Sequence, residues 1–126
     1  CSIAYANERQ AFGASLGNLQ MVQDMIAQMA VKVDAARLLA YRAAWMGDEG
    51  TVTLRELAMA KYYCTEIVTE VADAAIQVHG GWGYMDDCPV SRYYRDNLIC
   101  TIGDGSSQIQ KLLVARSLGL DVRFSS

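Results

Sequence analysis

Apolar residues recur at helical spacing along much of the chain, and the longest such stretch covers residues 18 to about 50. Intervals of three and four residues place these side chains on one face of an α-helix. That face carries Leu19, Val22, Ile26, Met29, Val33, Ala36, Leu39, Ala40 and Ala43. We expect a long amphipathic helix with Asn18 as its N-cap, in which Met21, Met25 and Met29 fill the core.

A second long helix is predicted over residues 53 to about 78. Thr53 precedes Glu56 by three residues, which is the spacing of a capping box, and Gly80 and Gly81 follow as a C-terminal stop. The stretch is amphipathic like the first one.

Two shorter helices are predicted nearer the C-terminus, at residues 89–98 and 108–118. Pro89 suits the first position of a helix, Ser106 or Ser107 can cap the later one, and Gly119 can close it. No strand-period segment of any length competes with these helices, so the expected fold is an all-α, antiparallel bundle of about four helices. Residues 1–126 are expected to form one domain.

Composition narrows the function classes. The chain has 52% hydrophobic and 20% charged residues and one proline. It has no run of eighteen uncharged apolar residues, so no membrane span is expected. Its formal charge is −3, and its 11 basic residues are scattered. Without a basic stripe, nucleic acid is not an expected partner.

The four cysteines are too widely spaced for a zinc site, and His79 is the only histidine. We therefore expect no metal, and free thiols in a reducing compartment such as the bacterial cytoplasm or the mitochondrial matrix. The chain begins at Cys1 with no signal peptide and no initiator methionine. We interpret it as a fragment of a longer protein.

Two segments place unusual residues beside the long helices. Arg9, Phe12 and Gly13 come just before the first one, where the planar guanidinium suits a phosphate or, alternatively, a surface ion pair. Residues 77–84 put three glycines between aromatic side chains at the end of the second. One glycine is an ordinary C-cap, and we interpret the others as backbone that faces a ligand. There Gln77 would meet neutral groups, since helix C-termini disfavour anions, and His79 is interpreted as structural.

A third segment, residues 101–108, places Asp104 between two glycines at the start of a helix. Two interpretations are open. Asp104 is either part of an ordinary capping turn, or a mobile carboxylate that reaches into a cavity as a general base.

Taken in order, six stretches resemble the C-terminal part of the acyl-CoA dehydrogenase family. They are YANERQAFG, LQMVQDMIAQMA, MAKYY, DAAIQVHGGWGY, CPVSRYYRD and DGSSQIQKLLVAR. The resemblance implies a three-domain flavoenzyme of which this chain is the helical C-terminal domain. It further implies FAD as cofactor, an acyl-CoA thioester as substrate, electron-transferring flavoprotein as partner, and a homo-oligomer, commonly a tetramer.

The resemblance also implies roles for individual residues. Asp104 matches the base that removes the α-proton, and Gly105 matches a backbone position near the substrate. The positions that match FAD contacts are Arg9, Phe12, Gln20, Gln77, Gly80 and Gly81, which face a neighbouring subunit's FAD, and Ser106, Ser107 and Gln108, which touch the flavin.

This sequence departs from the family where many members have Glu, because Asp104 is one methylene shorter. A retraction of about 1.5 Å matters, since misplacement on the order of 1 Å can lower a rate about a hundredfold. Asp104 therefore serves a differently shaped substrate, or the base lies on an earlier helix outside this chain. Two competing hypotheses are a different flavin reaction, as in nitroalkane or acyl-CoA oxidases, and a non-catalytic assembly module.

Overall fold

The computed structural model describes residues 1–121, so the last five positions of the domain expected over 1–126 lie outside the described residues. That part of the chain forms six α-helices and one two-stranded hairpin. In chain order these are α1 (Ser2–Glu8), β1 (Gln10–Ala11), β2 (Ala14–Ser15), α2 (Gln20–Asp48), α3 (Leu54–His79), α4 (Gly81–Tyr84), α5 (Pro89–Leu98) and α6 (Ser107–Ser117).

The all-α fold is confirmed, and α2, α3, α5 and α6 are the four helices that the apolar pattern predicts. The pattern missed α1, α4 and the hairpin, because each is too short to show a period. The predicted N-cap of α2 was wrong. Asn18 ends a 3-10 turn, and Leu19 is the capping residue, since that turn absorbs the approach to the helix.

Helix α3 is the centre of the fold, because α1, α2, α4, α5 and α6 all pack against it. Helices α2 and α3 run antiparallel. Lys32 reaches Glu70 at 2.7 Å near one end of the pair, and Arg42 reaches Glu56 at 3.6 Å near the other. The core lies where α1 and α5 join the two long helices.

The buried face of α2 is narrower than its apolar pattern predicts. Every seventh residue is buried, namely Val22, Met29, Ala36 and Ala43, because α2 has one long neighbour rather than two. Val33, which the predicted stripe includes, is 37% exposed. Of the three methionines expected to fill the core, Met29 is buried and Met25 half-buried, but Met21 is 81% exposed.

The predicted capping box at the start of α3 is confirmed. The Thr53 backbone N–H donates to Glu56 Oε2 at 3.2 Å, and Glu56 is buried. Its carboxylate accepts hydrogen bonds from the Thr53 hydroxyl and from Arg55, and these lower the pKa of Glu56 from 4.5 to about 2. Glu56 therefore stays ionised and anchors the first turn of α3 against α2.

The cysteines form no disulfides. The Cys64 thiol donates to the Ala36 carbonyl oxygen at 3.3 Å between α3 and α2, and burial raises the pKa of Cys64. It is thus a structural thiol. None of the described helices is both long enough and apolar enough to cross a bilayer.

Candidate functional site

The largest concentration of predicted site residues lies in a cleft at the C-terminal end of α3. The cleft has a volume of about 690 Å³ and is lined by residues of α1, α2, α3 and α4. Arg9, Gln77, Gly80 and Gly81 all line it, although Arg9 is some 70 positions away from the others in the sequence. The fold therefore brings together four of the residues singled out from the sequence.

Two of the three glycines after α3 form the floor of this cleft. Gly80 ends the helix with φ +59° and donates its N–H to the Gln77 carbonyl oxygen at 3.2 Å. A positive φ of this kind favours glycine. A Cβ at Gly81 would have no heavy atom within 4 Å. Backbone at both positions is therefore open to a ligand.

Gly83 has a different role from the ligand-facing one interpreted from the sequence. A Cβ on Gly83 would lie 2.7 Å from the Ile76 carbonyl oxygen and 2.9 Å from His79 Cβ. Gly83 is buried. It is therefore a packing glycine that lets α4 fold back onto the end of α3, and the sequence interpretation was wrong at this position.

His79 joins α3 to α1, in line with its interpretation as a structural residue. Its Nδ1 lies 2.7 Å from the Ala75 carbonyl oxygen, and its ring stacks on Tyr5 with centroids 4.4 Å apart. The Tyr5 hydroxyl also donates to the His79 carbonyl oxygen at 3.3 Å. These contacts fix the wall of the cleft to its floor.

Two polar side chains of the cleft, those of Arg9 and Gln77, make no polar contact of their own in the described part of the chain. Within residues 1–121, neither the Arg9 guanidinium nor the Gln77 amide has a hydrogen bond or ion pair, and both residues are exposed. The surface ion pair that was the alternative for Arg9 is not formed there. The cleft thus offers a free cation, a free amide and open glycine backbone.

Two other predicted contact residues do not line the cleft. Phe12 is at the tip of the β1–β2 hairpin with φ +55° and is 93% exposed. Such a conformation is uncommon for a bulky side chain. Gln20 begins α2 and is also exposed. Both side chains lie on the surface of this chain, where they can meet another one.

Asp104 lies in a second region, the loop between α5 and α6. It is exposed, with φ +54°, and Gly105 follows with φ +86°. Two consecutive residues with positive φ are costly for the first, since an L side chain disfavours this region by roughly 1–2 kcal/mol. Aspartate is among the residues that tolerate it best, so the loop displays a carboxylate in a constrained conformation.

Two side chains that the sequence did not single out hold this loop. Lys61 Nζ donates to the carbonyl oxygens of Cys100 at 2.7 Å, Gly103 at 3.0 Å and Gly105 at 2.8 Å. Gln110 Nε2, from the buried side of α6, donates to the Asp104 and Gly105 carbonyl oxygens at 3.4 and 3.2 Å.

The sequence carried one signal for Lys61. It lies three residues after Ala58 and three before Cys64, which places a lysine within a series of apolar positions at helical spacing. Lysines are almost never fully buried unless paired. A lysine at such a position indicates that its ammonium group has a bonding partner in the fold. The sequence does not identify that partner.

The serines at the start of α6 have hydroxyls that the helix does not use. Ser106 is the N-cap residue, as expected, but its side chain makes no capping hydrogen bond. Ser107 is 2% exposed, and its Oγ is buried without a partner among the described residues. Gln108 is exposed. Ser106 caps by position only, so its side chain remains available.

The two regions lie at opposite ends of α3. The 18 residues from Lys61 to His79 span about 27 Å at 1.5 Å per residue. Asp104 and Arg9 therefore cannot meet within one chain. No three His, Cys, Asp or Glu side chains in the described part come together as a metal site would require.

Known proteins share both the sequence and this fold. Residues 1–119 match the family described as "Acyl-CoA dehydrogenase, C-terminal domain". The chain is 48% identical over 115 residues to the glutaryl-CoA dehydrogenase of Desulfococcus multivorans, covering 90% of this chain and 30% of that protein. It is 42% identical over 117 residues to the caffeyl-CoA reductase-Etf complex subunit CarC of Acetobacterium woodii, covering 93% and 31%.

A solved structure has the same architecture. The butyryl-CoA dehydrogenase of Megasphaera elsdenii superposes with a TM-score of 0.92 and 31% identity, over 94% of this chain and 31% of that one. The chain thus spans less than a third of the length of these relatives. By sequence and by fold, it belongs to the acyl-CoA dehydrogenase family, in which it corresponds to the C-terminal domain.

Proposed function

We propose that this chain is the C-terminal domain of a three-domain, FAD-dependent acyl-CoA dehydrogenase. The enzyme would catalyse the α,β-dehydrogenation of an acyl-CoA thioester. The observation that carries this proposal is the Asp104 loop. At the family's base position, it displays an exposed carboxylate in a conformation with positive φ that a simple capping turn does not require.

Asp104 is the group that would take the proton from the α-carbon of the substrate. Bound FAD supplies the acceptor for the hydride that leaves the β-carbon. When the acyl chain covers the loop, desolvation raises the basicity of the carboxylate. The Gly105 carbonyl oxygen is already occupied by Lys61 and Gln110, so its N–H is the backbone group left for the substrate.

The cleft at the end of α3 fits part of a dinucleotide cofactor. Arg9 can present its guanidinium to a diphosphate, and Gly80 and Gly81 let the neutral groups of that ligand approach the backbone closely. Gln77 supplies an amide beside them. At the other end of α3, Ser106, Ser107 and Gln108 would contact the flavin ring.

One FAD in one chain does not account for both sets of contacts, since they lie about 27 Å apart along α3. We therefore infer that the Arg9 cleft and the exposed Phe12 and Gln20 side chains serve the FAD of a neighbouring subunit. The enzyme would then be a homo-oligomer, and a tetramer is the proposed form.

The outer face of α2 supports such an assembly. Val31, Leu38, Tyr41 and Trp45 lie on one side of the helix and are 61–70% exposed. Exposed apolar side chains gathered on one side of a helix are typical of a protein–protein contact. In the proposed tetramer, this face would be covered by another subunit.

The proposed electron acceptor is an electron-transferring flavoprotein. One relative of this chain carries an Etf complex in its own name. The unpaired cysteines fit a reducing compartment, either the bacterial cytoplasm or the mitochondrial matrix.

The test uses the full-length protein with its FAD, mixed with an acyl-CoA panel in a stopped-flow instrument. In Asp104→Asn, flavin reduction should fall by about a hundredfold or more, because the amide keeps the size of the side chain but accepts no proton. Asp48→Asn, the same change at the exposed end of α2, should react like the wild type.

Two results would contradict the proposal. Flavin reduction by Asp104→Asn at the wild-type rate would place the base outside this chain. Rapid reoxidation of the reduced flavin by oxygen, without an electron-transferring flavoprotein, would favour the oxidase-like hypothesis.

A further inference from the structure

Residues 104 and 105 receive no support from the backbone. The preceding turn is closed by Ile102 and Gly103 N–H groups that donate to the Ile99 carbonyl oxygen at 3.1 and 2.8 Å. The next backbone hydrogen bond along the chain runs from Gln110 N–H to the Ser106 carbonyl oxygen. Between these points, within the described residues, only side chains hold the loop.

Lys61 supplies most of that support. A lysine ammonium group has three donors, and all three are used on the Cys100, Gly103 and Gly105 carbonyl oxygens. Two of these acceptors flank Asp104 directly. In residues 1–121 no carboxylate lies within ion-pair distance of Lys61. Its ammonium group therefore bonds only these three carbonyl oxygens there.

The position of Lys61 makes this support rigid. It projects from the first third of α3, the helix against which every other helix packs. Its own carbonyl oxygen accepts the Thr65 hydroxyl at 3.0 Å. A lysine is a flexible residue in general, but one whose three donors are all bonded is fixed in place.

We propose that Lys61 is the positioning residue of the catalytic loop. It holds the Asp104 backbone in its left-handed conformation and so sets where the carboxylate stands relative to the α-carbon. This inference rests on the proposed function, since it assigns Lys61 a part in the proton transfer by Asp104. Lys61 itself does not touch the substrate.

The consequence is a larger effect on the rate than on binding. Lys61 bonds none of the groups proposed to bind ligands, which are the Gly105 N–H and the side chains of residues 106–108, while the reach of a short aspartate depends on its backbone. Displacement of a base on the order of 1 Å can lower the rate about a hundredfold. Loss of Lys61 should therefore act on the chemical step.

The experiment compares Lys61→Met with Lys32→Met in the full-length holoenzyme. Both remove one ammonium group, but Lys32 only bonds Glu70 on the surface between α2 and α3. In Lys61→Met, substrate-dependent flavin reduction should fall between about tenfold and a hundredfold. FAD content and substrate dissociation constant should change less than about threefold, and Lys32→Met should match the wild type.

A double variant separates positioning from a general structural role. If Lys61 acts through Asp104, then Lys61→Met combined with Asp104→Asn should be no slower than Asp104→Asn alone. A further fall in proportion to the single effects would overturn the proposal, as would a wild-type rate in Lys61→Met. Should Lys61→Met fail to fold, Lys61→Arg decides. It keeps the charge, but its planar fork cannot match three converging carbonyl groups, so partial slowing supports the proposal and a wild-type rate overturns it.

Amide hydrogen exchange distinguishes failure of this inference from failure of the proposed function. The amides of Ile102 and Gly103, which donate to the Ile99 carbonyl oxygen, should exchange faster in Lys61→Met than in Lys32→Met, with the amides of α3 unchanged. Unchanged exchange would show that Lys61 does not hold the loop. A different result is faster exchange in Lys61→Met together with normal flavin reduction by Asp104→Asn. Lys61 would then hold the loop, but Asp104 would not be the base. That outcome would overturn both the proposed base and its positioning by Lys61.

Discussion

The two ends of α3 present functional groups in opposite ways. At its C-terminal end, the floor of the cleft is built by neighbours in sequence, because Gln77, Gly80 and Gly81 follow one another through the helix stop, and Arg9 joins them from α1's end of the chain. At the other end, the Asp104 loop is held by Lys61, which lies 42 positions from Gly103 and 44 from Gly105 along the chain. The floor of the cleft is made by local backbone geometry, whereas the Asp104 loop is held by distant side chains.

The difference shows how each site responds to change. The cleft depends on Gly80 and Gly81, where an added side chain would occupy space that is open to a ligand. The loop depends on hydrogen bonds between separate elements, whose loss displaces a carboxylate without unfolding a helix. If both sites serve one enzyme, changes at the cleft should affect FAD retention, and changes at the loop should affect the rate of chemistry.

The largest expected effect comes from placing one substitution at each end of α3 and combining the two variants as different subunits of one oligomer. In the full-length protein, Arg9→Ala should weaken FAD binding about tenfold to a hundredfold, since hydrogen bonds to charged groups contribute about 1.5–3 kcal/mol. Asp104→Asn should keep FAD but lose reduction. Neither homo-oligomer should reduce much flavin when FAD is limiting.

Hybrid oligomers of the two variants should recover activity. In such a hybrid, the site that combines Asp104 of one subunit with Arg9 of its neighbour is intact. The second site of the same pair of subunits lacks both groups. Hybrids isolated through two affinity tags should therefore contain up to one reducible flavin for every two chains, counted by substrate titration of absorbance. The absence of recovery would show that both ends serve the same subunit's cofactor.

A smaller effect should separate two glycines of the same short helix. Gly83→Ala would press its methyl group against Ile76 and His79, and overpacking of this kind costs about 1–3 kcal/mol. Gly81→Ala has open space and should change the free energy of unfolding by less than about 0.5 kcal/mol, while weakening FAD retention. Urea denaturation and flavin content together check both variants. Equal loss of stability in the two would remove the distinction.

The smallest effect concerns acid. The pKa of Glu56 is lowered to about 2 in the folded chain, against an ordinary value of 4.5. Its stabilising contribution is complete above about pH 4.5 and is lost as the pH falls toward 2. The free energy of unfolding should thus decline more steeply over this range in the wild type than in Glu56→Gln.

The same acid series sharpens the comparison of the two ends. Glu56 anchors the first turn of α3, in the half that carries Lys61. Hydrogen exchange at pH 3 should open this turn before residues 75–79 at the cleft end. Parallel opening of both ends would show that Glu56 does not act locally.

Much of this protein could be predicted from its sequence. The four longer helices, the Thr53 capping box and Pro89 at the start of α5 all follow from period and capping chemistry, which are properties of neighbouring residues. The six family motifs, in the correct order, were also sufficient to identify the family. The sequence failed at α1 and α4, since seven and four residues are too few to show a period.

The tertiary structure alone decided the contacts between distant segments. The sequence around Lys61 does not indicate which three carbonyl groups it bonds. Gly83 cannot be distinguished from Gly80 and Gly81 in the sequence, and its packing role becomes visible only where α4 folds back on Ile76. Likewise, the apolar pattern of α2 indicates which residues can be buried. Which of them are buried depends on how many helices pack against α2. Local sequence fixes helices because their hydrogen bonds are local, whereas the positions of Asp104 and Arg9 depend on contacts between residues that only folding brings together.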